Sequence, residues 1–516
     1  MSTEKTLARF FPVTVVIVVA VCPFLWTSDR DTRPQRPTNV IIITLDTTRP
    51  DVLAAYGGAK VETPALDRVA REGIVFDQAT TPVPLTLPAH TSLFTGLFPV
   101  HHGVHDNTDP PLDKKHTTLV ELLHSSGMHS AAFVASAVVG SRRGLARGFD
   151  RYSEGDASRG RLRRAANVVV DEAIQWIDRQ AASPFFTWLH LYDAHAPYTL
   201  PEPYRTMYED APYLGAIAFM DAQIERLLLD LERQHLLDRT LIVVAGDHGE
   251  SLGEHGEDGH GMLLYQSTLR VPLLIRLPGT TARHLSDAVR LIDVMPTVLD
   301  ALGSVVPARD GVSLLPLISG SATHLDVDVF SESLYPRRFG WSELHSLRAG
   351  RFKFIAAPHP ELYDLDADPV ERRNIYDDRR GVAEAMAARL GIFAAGDGGI
   401  RRAQDTDAES LARLTALGYV SQGPVAARVE AVQPAGDPKA CIDVYNAIVR
   451  MQSMTDSPGS INRADFAFAP AAFSQKPFDV PRSCVSRPFV SALLGRSPPS
   501  ALPARPIVRT PREASR

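Results

Sequence analysis

The pattern of apolar positions along the chain is dominated by two runs that each end in an aspartate. They are Asn39-Val40-Ile41-Ile42-Ile43-Thr44-Leu45-Asp46 and Thr240-Leu241-Ile242-Val243-Val244-Ala245-Gly246-Asp247-His248. A near-continuous apolar run of this length predicts a strand that is buried on both faces of a sheet. Ligands gather beyond the carboxyl ends of the strands in open parallel sheets, so we expect Asp46, Asp247 and His248 to converge there. Two carboxylates and one imidazole at one edge indicate a metal site.

Further apolar runs alternate with helical patterns from residue 39 to about residue 320. The additional predicted strands are 130–135, 185–192 and 271–277, and the predicted helices are 118–126, 165–180 and 216–234. This alternation is typical of an α/β fold, with a mainly parallel sheet flanked by helices. We therefore predict one large domain over 39–320.

The pattern changes twice in the rest of the chain. Residues 321–422 contain a predicted strand at 351–356, a turn-rich stretch and a predicted helix at 381–393, which favours a smaller antiparallel sheet with a packed helix. The tail, 423–516, offers one helix at 437–452 and is then rich in Pro, Ser, Ala and Arg, so we predict disorder there. The abrupt change also fits a truncated or frame-shifted end.

The first residues have the pattern of a targeting segment. Lys5 and Arg9 precede an apolar stretch over 10–26, and a polar stretch follows at 28–31. This pattern predicts an export signal or an N-terminal membrane anchor in residues 1–38, with the remaining chain outside the cytoplasm. Whether the segment is cleaved stays open.

Composition limits the classes of partner and site. The chain has 516 residues, 44% of them hydrophobic, and a formal net charge of -6, which is globular and gives no reason to expect nucleic acid. Its three cysteines, Cys22, Cys441 and Cys484, lie outside the stretch with the candidate chemistry, so a Cys-ligated zinc site is not available there. Oligomeric state stays open.

The segment Thr86-Leu87-Pro88-Ala89-His90, which continues to Gly96, predicts a short helix. Thr86 suits the N-cap, Pro88 the first turn and Gly96 the C-terminal stop. A hydroxyl at the start of a helix faces free N–H groups and the positive end of the dipole, which favours anions and an alkoxide. His90 lies one turn on, where it can share a face with Thr86. The alternative is a capped helix with an incidental histidine.

These motifs together resemble the sulfatase branch of the alkaline phosphatase superfamily, from Asn39 to about Val420. That family places its nucleophile in Cys/Ser-x-Pro-x-Arg followed by Leu-x-Thr-Gly, matched here by Thr86 to His90 and by Leu93-Phe94-Thr95-Gly96. Further matches are Gly96-Leu97-Phe98-Pro99 with His102-Gly103-Val104, Asp193-Ala194-His195-Ala196-Pro197-Tyr198, Gly246-Asp247-His248-Gly249-Glu250, Arg270-Val271-Pro272-Leu273, Leu291-Ile292-Asp293-Val294-Met295-Pro296-Thr297 and Glu361-Leu362-Tyr363-Asp364-Leu365. The resemblance implies an alkaline-phosphatase-like fold with a C-terminal antiparallel subdomain.

The departures from the family pattern bear on the chemistry. Family sulfatases convert Cys or Ser to formylglycine, whereas Thr86 would give a ketone at best, so the formylglycine mechanism is not expected. Relatives that act on phosphodiesters or phosphonates use Thr directly and form a covalent ester. His90 stands in place of the family's Arg and His260 in place of its Lys. Both changes remove permanent positive charge, which favours singly charged esters.

The resemblance also implies a metal shell. Asp46 matches the first of the family's tandem acids, and Thr47 replaces the second. We expect Asp46, the Thr86 oxygen, Asp247 and His248 to bind one divalent metal ion, and Thr47 could assist in binding it. Manganese, zinc, magnesium and calcium all stay open as its identity.

Three further residues are candidates for contact with the substrate. His195 and His260 could donate to substrate oxygens or protonate the leaving alkoxide. Asn107 could donate to a non-bridging oxygen, although Asp106-Asn107 is also ordinary turn chemistry. Asp193 could be a metal ligand or a partner of one.

The function expected from the sequence is therefore a membrane-anchored or exported, metal-dependent hydrolase or transferase. Its substrate would be an anionic ester of the phosphodiester, phosphonate or sulfate type, cleaved through a Thr nucleophile. The alternative is a catalytically inert binding or scaffold protein with the same fold. No residue identifies the group that the ester carries, because specificity in this fold depends on loops over the site.

Overall fold

The computed structural model describes residues 36–155, 162–180, 182–394, 413, 436–455 and 484. The predicted N-terminal signal or anchor and most of the predicted disordered tail lie outside these residues. Within the described part of the chain, no helix is long and apolar enough to cross a membrane.

The described residues form an eight-stranded sheet in the order β10-β2-β9-β6-β1-β5-β3-β4. Its strands are β1 (Asn39–Leu45), β2 (Ile74–Thr80), β3 (His129–Val134), β4 (Arg151–Ser153), β5 (Phe185–Leu191), β6 (Thr240–Gly246), β9 (Leu273–Arg276) and β10 (Arg283–Arg290). A short ribbon, β7 (Ser251–Leu252) with β8 (Asp258–Gly259), lies outside the sheet. Only the pairings of β9, with β2 and β6, are antiparallel within the described sheet. The mainly parallel sheet predicted from the sequence is confirmed.

The central strand β1 is buried on both faces because its side chains alternate between two cores. Val40 and Ile42 belong to one apolar cluster, and Ile41, Ile43 and Leu45 belong to the other. Helices cover both faces, which is why the run reads as continuously apolar rather than alternating.

The helices of the described residues are α1 (Pro64–Arg71), α2 (Thr86–Thr95), α3 (Pro99–His102), α4 (Leu119–Ser125), α5 (Ala166–Gln180), α6 (Tyr204–Met207), α7 (Pro212–Arg233), α8 (Gln266–Leu269), α9 (Val294–Ala301), α10 (Leu315–Ser319), α11 (Arg380–Ala394) and α12 (Ile442–Thr455). The predicted helices lie close to α2, α4, α5, α7 and α11, whereas α1, α3, α6, α8, α9 and α10 were not predicted. Gly96 ends α2 with a left-handed φ of 67°, as expected for a C-terminal glycine.

A smaller antiparallel sheet follows the large one, as predicted. Its order is β11 (Val329–Ser333), β12 (Leu344–Ala349), β13 (Phe352–Ala356) and β14 (Glu361–Asp364). Helix α11 packs on it through Ala383, Met386 and Leu390. Helix α12 of the predicted tail is present, and a disulfide joins Cys441 to Cys484.

Candidate active site

Asp46 and Asp247 directly follow neighbouring strands in register, because Leu45 of β1 pairs with Gly246 of β6. Both carboxylates are fully buried. Thr47 N and His248 N donate to Asp247 Oδ1 at 3.3 and 2.7 Å. Asp46 Oδ1 and Asp247 Oδ2 have no hydrogen-bond partner among the described residues. Two buried, partly unsatisfied carboxylates side by side require a cation or protons between them.

The pKa shifts of Asp46 and Asp247 also indicate that the two carboxylates need a cation or protons between them. Burial raises the pKa of Asp46 to about 8. Burial, followed by the charge of Asp46, raises the pKa of Asp247 well above its usual value. A divalent cation would reverse both effects by stabilising the ionised forms.

His248 completes a group whose ligand atoms face one point. Its Nδ1 lies 3.0 Å from the Gly249 carbonyl, so Nδ1 carries the hydrogen and Nε2 keeps its lone pair. Asp46, Asp247 and His248 each offer one ligand atom, and these atoms lie within 4.8 Å of one another. This donor set fits a divalent metal ion of the manganese, zinc or magnesium type.

Thr86 stands beside this group. Its Oγ1 lies 3.3 Å from His248 Nε2. The sequence predicted Thr86 as the N-cap, and that detail is wrong: Leu85 is the N-cap and Thr86 is the first helical residue. The capping oxygen comes instead from Asn107, whose Oδ1 accepts from Leu87 N at 2.8 Å. The Thr86 hydroxyl is therefore not used for capping and faces the metal-ligand group.

Asn107 has a second feature that bears on its predicted role. Its Nδ2 is buried and has no hydrogen-bond partner among the described residues. The amide is oriented by the bond from Leu87 N, so Nδ2 is a fixed donor beside the start of α2. Donation to a substrate oxygen stays a prediction.

His90 lies behind Thr86 rather than beside its hydroxyl. Its Nδ1 bonds the Thr86 carbonyl at 2.7 Å and its Nε2 bonds Thr44 Oγ1 at 2.9 Å. Burial lowers the pKa of His90 well below its usual value, so the ring is neutral. A second possible metal group contains His90, His190 and Asp247. It fits a metal less well, because both His90 nitrogens already have partners.

His195 and His260 form a pair beside His248. Their Nε2 atoms lie 3.3 Å apart, and the His260 ring lies 4.2 Å from the His248 ring between centroids. The Nδ1 of His195 bonds the Ala196 carbonyl and that of His260 bonds the Pro84 carbonyl. Burial lowers the pKa of both rings, that of His260 to about 4. Both Nε2 atoms are therefore acceptors that can share one proton or meet a substrate group.

Thr47 and Asp193, two residues that the sequence offered as helpers of the metal site, have features that the sequence did not predict. Thr47 has φ 52°, a left-handed conformation that is rare for a β-branched residue and typical of functional sites. Its Oγ1 is buried without a hydrogen-bond partner among the described residues. Asp193 accepts from Ala166 N at 3.2 and 3.1 Å and so caps α5, a role that the sequence did not indicate.

The sequence missed His190, which is the penultimate residue of β5. Its Nε2 bonds Asp46 Oδ2 at 3.2 Å. Burial lowers the pKa of His190 to about 3, so a neutral imidazole donates to the carboxylate. The available signal was a single histidine in the apolar run Phe185 to Leu191.

The chain matches two models of known protein families. The Sulfatase family model matches residues 38–304, and the model described as N-sulphoglucosamine sulphohydrolase, C-terminal, matches residues 253–391. A choline-sulfatase from Rhizobium meliloti (strain 1021) is 36% identical over 176 residues, only 33% of each chain. An arylsulfatase from Clostridium perfringens (strain 13 / Type A) is 25% identical over 437 residues, covering 65% of this chain and 90% of the relative.

The fold is also similar to that of solved structures. The phosphonate monoester hydrolase of Agrobacterium radiobacter superposes with a TM-score of 0.61 at 24% identity, covering 70% of this chain and 96% of the other. The first family model alone spans more than half of the chain. The chain therefore belongs to the sulfatase family of the alkaline phosphatase superfamily, a family of ester hydrolases.

Proposed function

We propose that this chain is a metal-dependent hydrolase or transferase that cleaves a singly charged phosphodiester, phosphonate or sulfate ester through Thr86. The observation that carries the proposal is the position of the Thr86 hydroxyl, 3.3 Å from His248 Nε2 at the start of α2. Beside it lie the unsatisfied carboxylate oxygens of Asp46 and Asp247. A scaffold protein would gain nothing from such a costly buried group.

Asp46, Thr86, Asp247 and His248 would hold one divalent metal ion. When bound, the ion supplies Lewis-acid chemistry, which lowers the pKa of a hydroxyl and stabilises negative charge on a substrate oxygen. The protein contributes orientation: the Gly249 carbonyl fixes the tautomer of His248, and His190 holds one oxygen of Asp46.

The proposed reaction has two displacements. The Thr86 oxygen forms a bond to the phosphorus or sulfur atom while the bond to the leaving alkoxide breaks. The hydroxyl proton of Thr86 ends, overall, on that alkoxide, and the His195–His260 pair, whose Nε2 atoms lie 3.3 Å apart, is the proposed carrier of the proton. Water or another alcohol then cleaves the covalent threonine ester, which restores Thr86. The choice between these acceptors separates a hydrolase from a transferase.

The preference for a monoanion follows from the charge of the site. By the resemblance of the sequence motifs, His90 and His260 stand in place of the family's Arg and Lys, and burial lowers the pKa of each imidazole. Neutral imidazoles stabilise a second negative charge poorly, so a dianionic monoester should be the weaker substrate. A threonine at the nucleophile position also excludes formylglycine from the proposed mechanism.

Export to an oxidising compartment remains part of the proposal. It is motivated by the basic and apolar pattern of the first residues. The Cys441–Cys484 disulfide supports it, because such bonds persist mainly outside the cytoplasm.

The proposal is tested by Thr86→Ala in the full chain reconstituted with Mn²⁺. We expect turnover of bis-p-nitrophenyl phosphate to fall by about 10³-fold or more, since the nucleophile is lost. Metal content, measured by elemental analysis, should persist because Asp46, Asp247 and His248 remain.

Thr95→Ala is the matched control, since Thr95 lies on the same helix and its hydroxyl donates to the Thr91 carbonyl. It should keep the wild-type rate on that diester and on the phosphonate and sulfate analogues. A Thr86→Ala protein that hydrolyses the diester as fast as the wild type would refute the nucleophile assignment.

A further inference from the structure

The chain beyond the range matched by the family models returns to the candidate site. That range ends at residue 391. The C-terminal segment, defined here as residues 436–449, packs into an apolar cluster with the chain that follows His260. Its buried members are Cys441, Ile442, Val444 and Tyr445, and the residues opposite are Met262, Leu263, Leu264 and Tyr265.

The C-terminal segment also makes polar contacts with the His260 loop, defined as residues 254–262. Asn446 Oδ1 accepts from Asp258 N at 3.0 Å, and Asn446 Nδ2 donates to the Gly256 carbonyl at 2.6 Å. The Tyr445 hydroxyl donates to the His260 carbonyl at 3.4 Å. One asparagine side chain therefore bonds the loop backbone two residues and four residues before His260.

The His260 loop has little regular structure of its own. It contains the two-residue strand β8, which among the described strands pairs only with the equally short β7. His255, Gly256, Gly259 and Gly261 all have left-handed φ values between 54° and 108°. Glycines lose much conformational freedom on ordering, so such a loop needs external contacts to hold one conformation.

The position of this loop determines the position of the His260 imidazole. The ring must lie between Pro84, just before the Thr86 helix, and His195. It also packs on His248. A small shift of the loop would separate His260 from these groups, and misplacement by about 1 Å can reduce a rate about 100-fold.

We propose that the C-terminal segment is part of the catalytic unit, in which Asn446 and Tyr445 are positioning residues that hold His260 against His195 and His248. The effect of these residues on the reaction rate rests on the proposed function, whereas their effect on the order of the His260 loop does not. The functional unit of this chain then extends to α12, beyond the C-terminal subdomain that ends with α11.

The test uses Asn446→Ala in the full chain and two readouts. Hydrogen–deuterium exchange followed by mass spectrometry should show about tenfold faster exchange of the amides of residues 254–262, because two hydrogen bonds to that backbone are lost. Asn374→Ala is the matched control. Its side chain also bonds backbone groups, those of Leu362, Tyr376 and Pro360, but in the small-sheet region. It should leave exchange in the His260 loop unchanged.

The second readout is a double-mutant cycle with His260→Ala. Asn446→Ala should lower kcat/KM about tenfold in the wild-type background and leave it nearly unchanged when His260 is absent. Tyr445→Phe, which removes one hydroxyl, should show the same coupling at smaller size if Asn446→Ala folds poorly.

Unchanged exchange in the His260 loop of Asn446→Ala would overturn the proposal, and so would equal losses of kcat/KM with and without His260. The proposed function fails separately, through the rate of Thr86→Ala. In that event the exchange experiment still decides whether the segment holds the loop.

Discussion

At Asp46, the two carboxylate oxygens have different environments. Oδ2 bonds His190 Nε2 at 3.2 Å, whereas Oδ1 has no hydrogen-bond partner among the described residues. A donor on one oxygen fixes the direction in which the other oxygen points, which is how outer residues tune metal ligands. His190→Leu should therefore weaken Mn²⁺ binding by about 10- to 100-fold. Competition with a fluorescent chelator measures this affinity without relying on turnover.

His190→Gln is the matched variant, because its amide keeps a donor near the position of Nε2. It should retain most of the affinity for Mn²⁺. An affinity of His190→Leu equal to that of the wild type would show that His190 does not support the metal site.

Sequence reasoning brought Asp46, Asp247, His248 and Thr86 together because each ends a strand or begins a helix. It missed His190, since only the pairing of β5 with β1 places that residue opposite Thr44, next to Asp46.

At the scale of elements, helix α1 depends on a cap from a distant part of the chain. Its own N-cap residue, Thr63, makes no capping bond with its side chain. Instead Asp221 of α7 accepts from Ala65 N at 3.1 Å and from Leu66 N at 2.9 Å. Asp221→Ala leaves both buried donors unsatisfied and should lower the free energy of unfolding by about 1–3 kcal/mol. Urea denaturation followed by circular dichroism measures the change.

Asp221→Asn should lie between the wild type and Asp221→Ala, because one amide oxygen can replace only one of the two acceptors. Glu225→Ala on the same helix is the control and should change stability by less than about 0.5 kcal/mol. If Asp221→Ala is as stable as Glu225→Ala, the cap contributes nothing.

The strands of the large sheet that could be predicted most closely are those whose burial is uniform. β1, β5 and β6 are buried throughout, and the sequence located them to within about a residue. β2, β4 and β10 of the large sheet were not predicted. β10 has largely exposed or half-exposed side chains and lies at the edge of the sheet, so no continuous apolar run indicates it. The positions of β2 and β10 depend on their pairing with each other, and contacts between distant parts of the chain are not visible in a local sequence pattern.

For the whole molecule, the division into a large and a small sheet was predictable from the change of pattern near residue 320. The return of the C-terminal segment to the His260 loop was not, because Asn446 and Tyr445 carry no distinctive local pattern. The contact between the two sheets could not be predicted either, because it depends on a buried ion pair between residues that look like surface charges in the sequence.

That junction contains Lys353 of β13 and Glu371, which are 2% and 1% exposed. Lys353 Nζ donates to Glu371 Oε1 and to the Leu264 carbonyl, both at 2.6 Å. Glu371 Oε2 accepts from Gln266 N at 2.6 Å, so the pair links the small sheet to Leu264 and to the first residue of α8. Lys353→Met would leave a buried carboxylate without its cation, and the free energy of unfolding should fall by about 3–5 kcal/mol.

The double variant Lys353→Met with Glu371→Gln distinguishes an unpaired charge from lost packing. The neutral amide can still accept from Gln266 N, so the double variant should be more stable in urea than Lys353→Met alone. If the second substitution instead adds a further loss, lost packing and hydrogen bonding, rather than an unpaired carboxylate, account for the instability of Lys353→Met. The same urea series should report whether both sheets unfold together, since a linked junction predicts one transition for tryptophan fluorescence and circular dichroism.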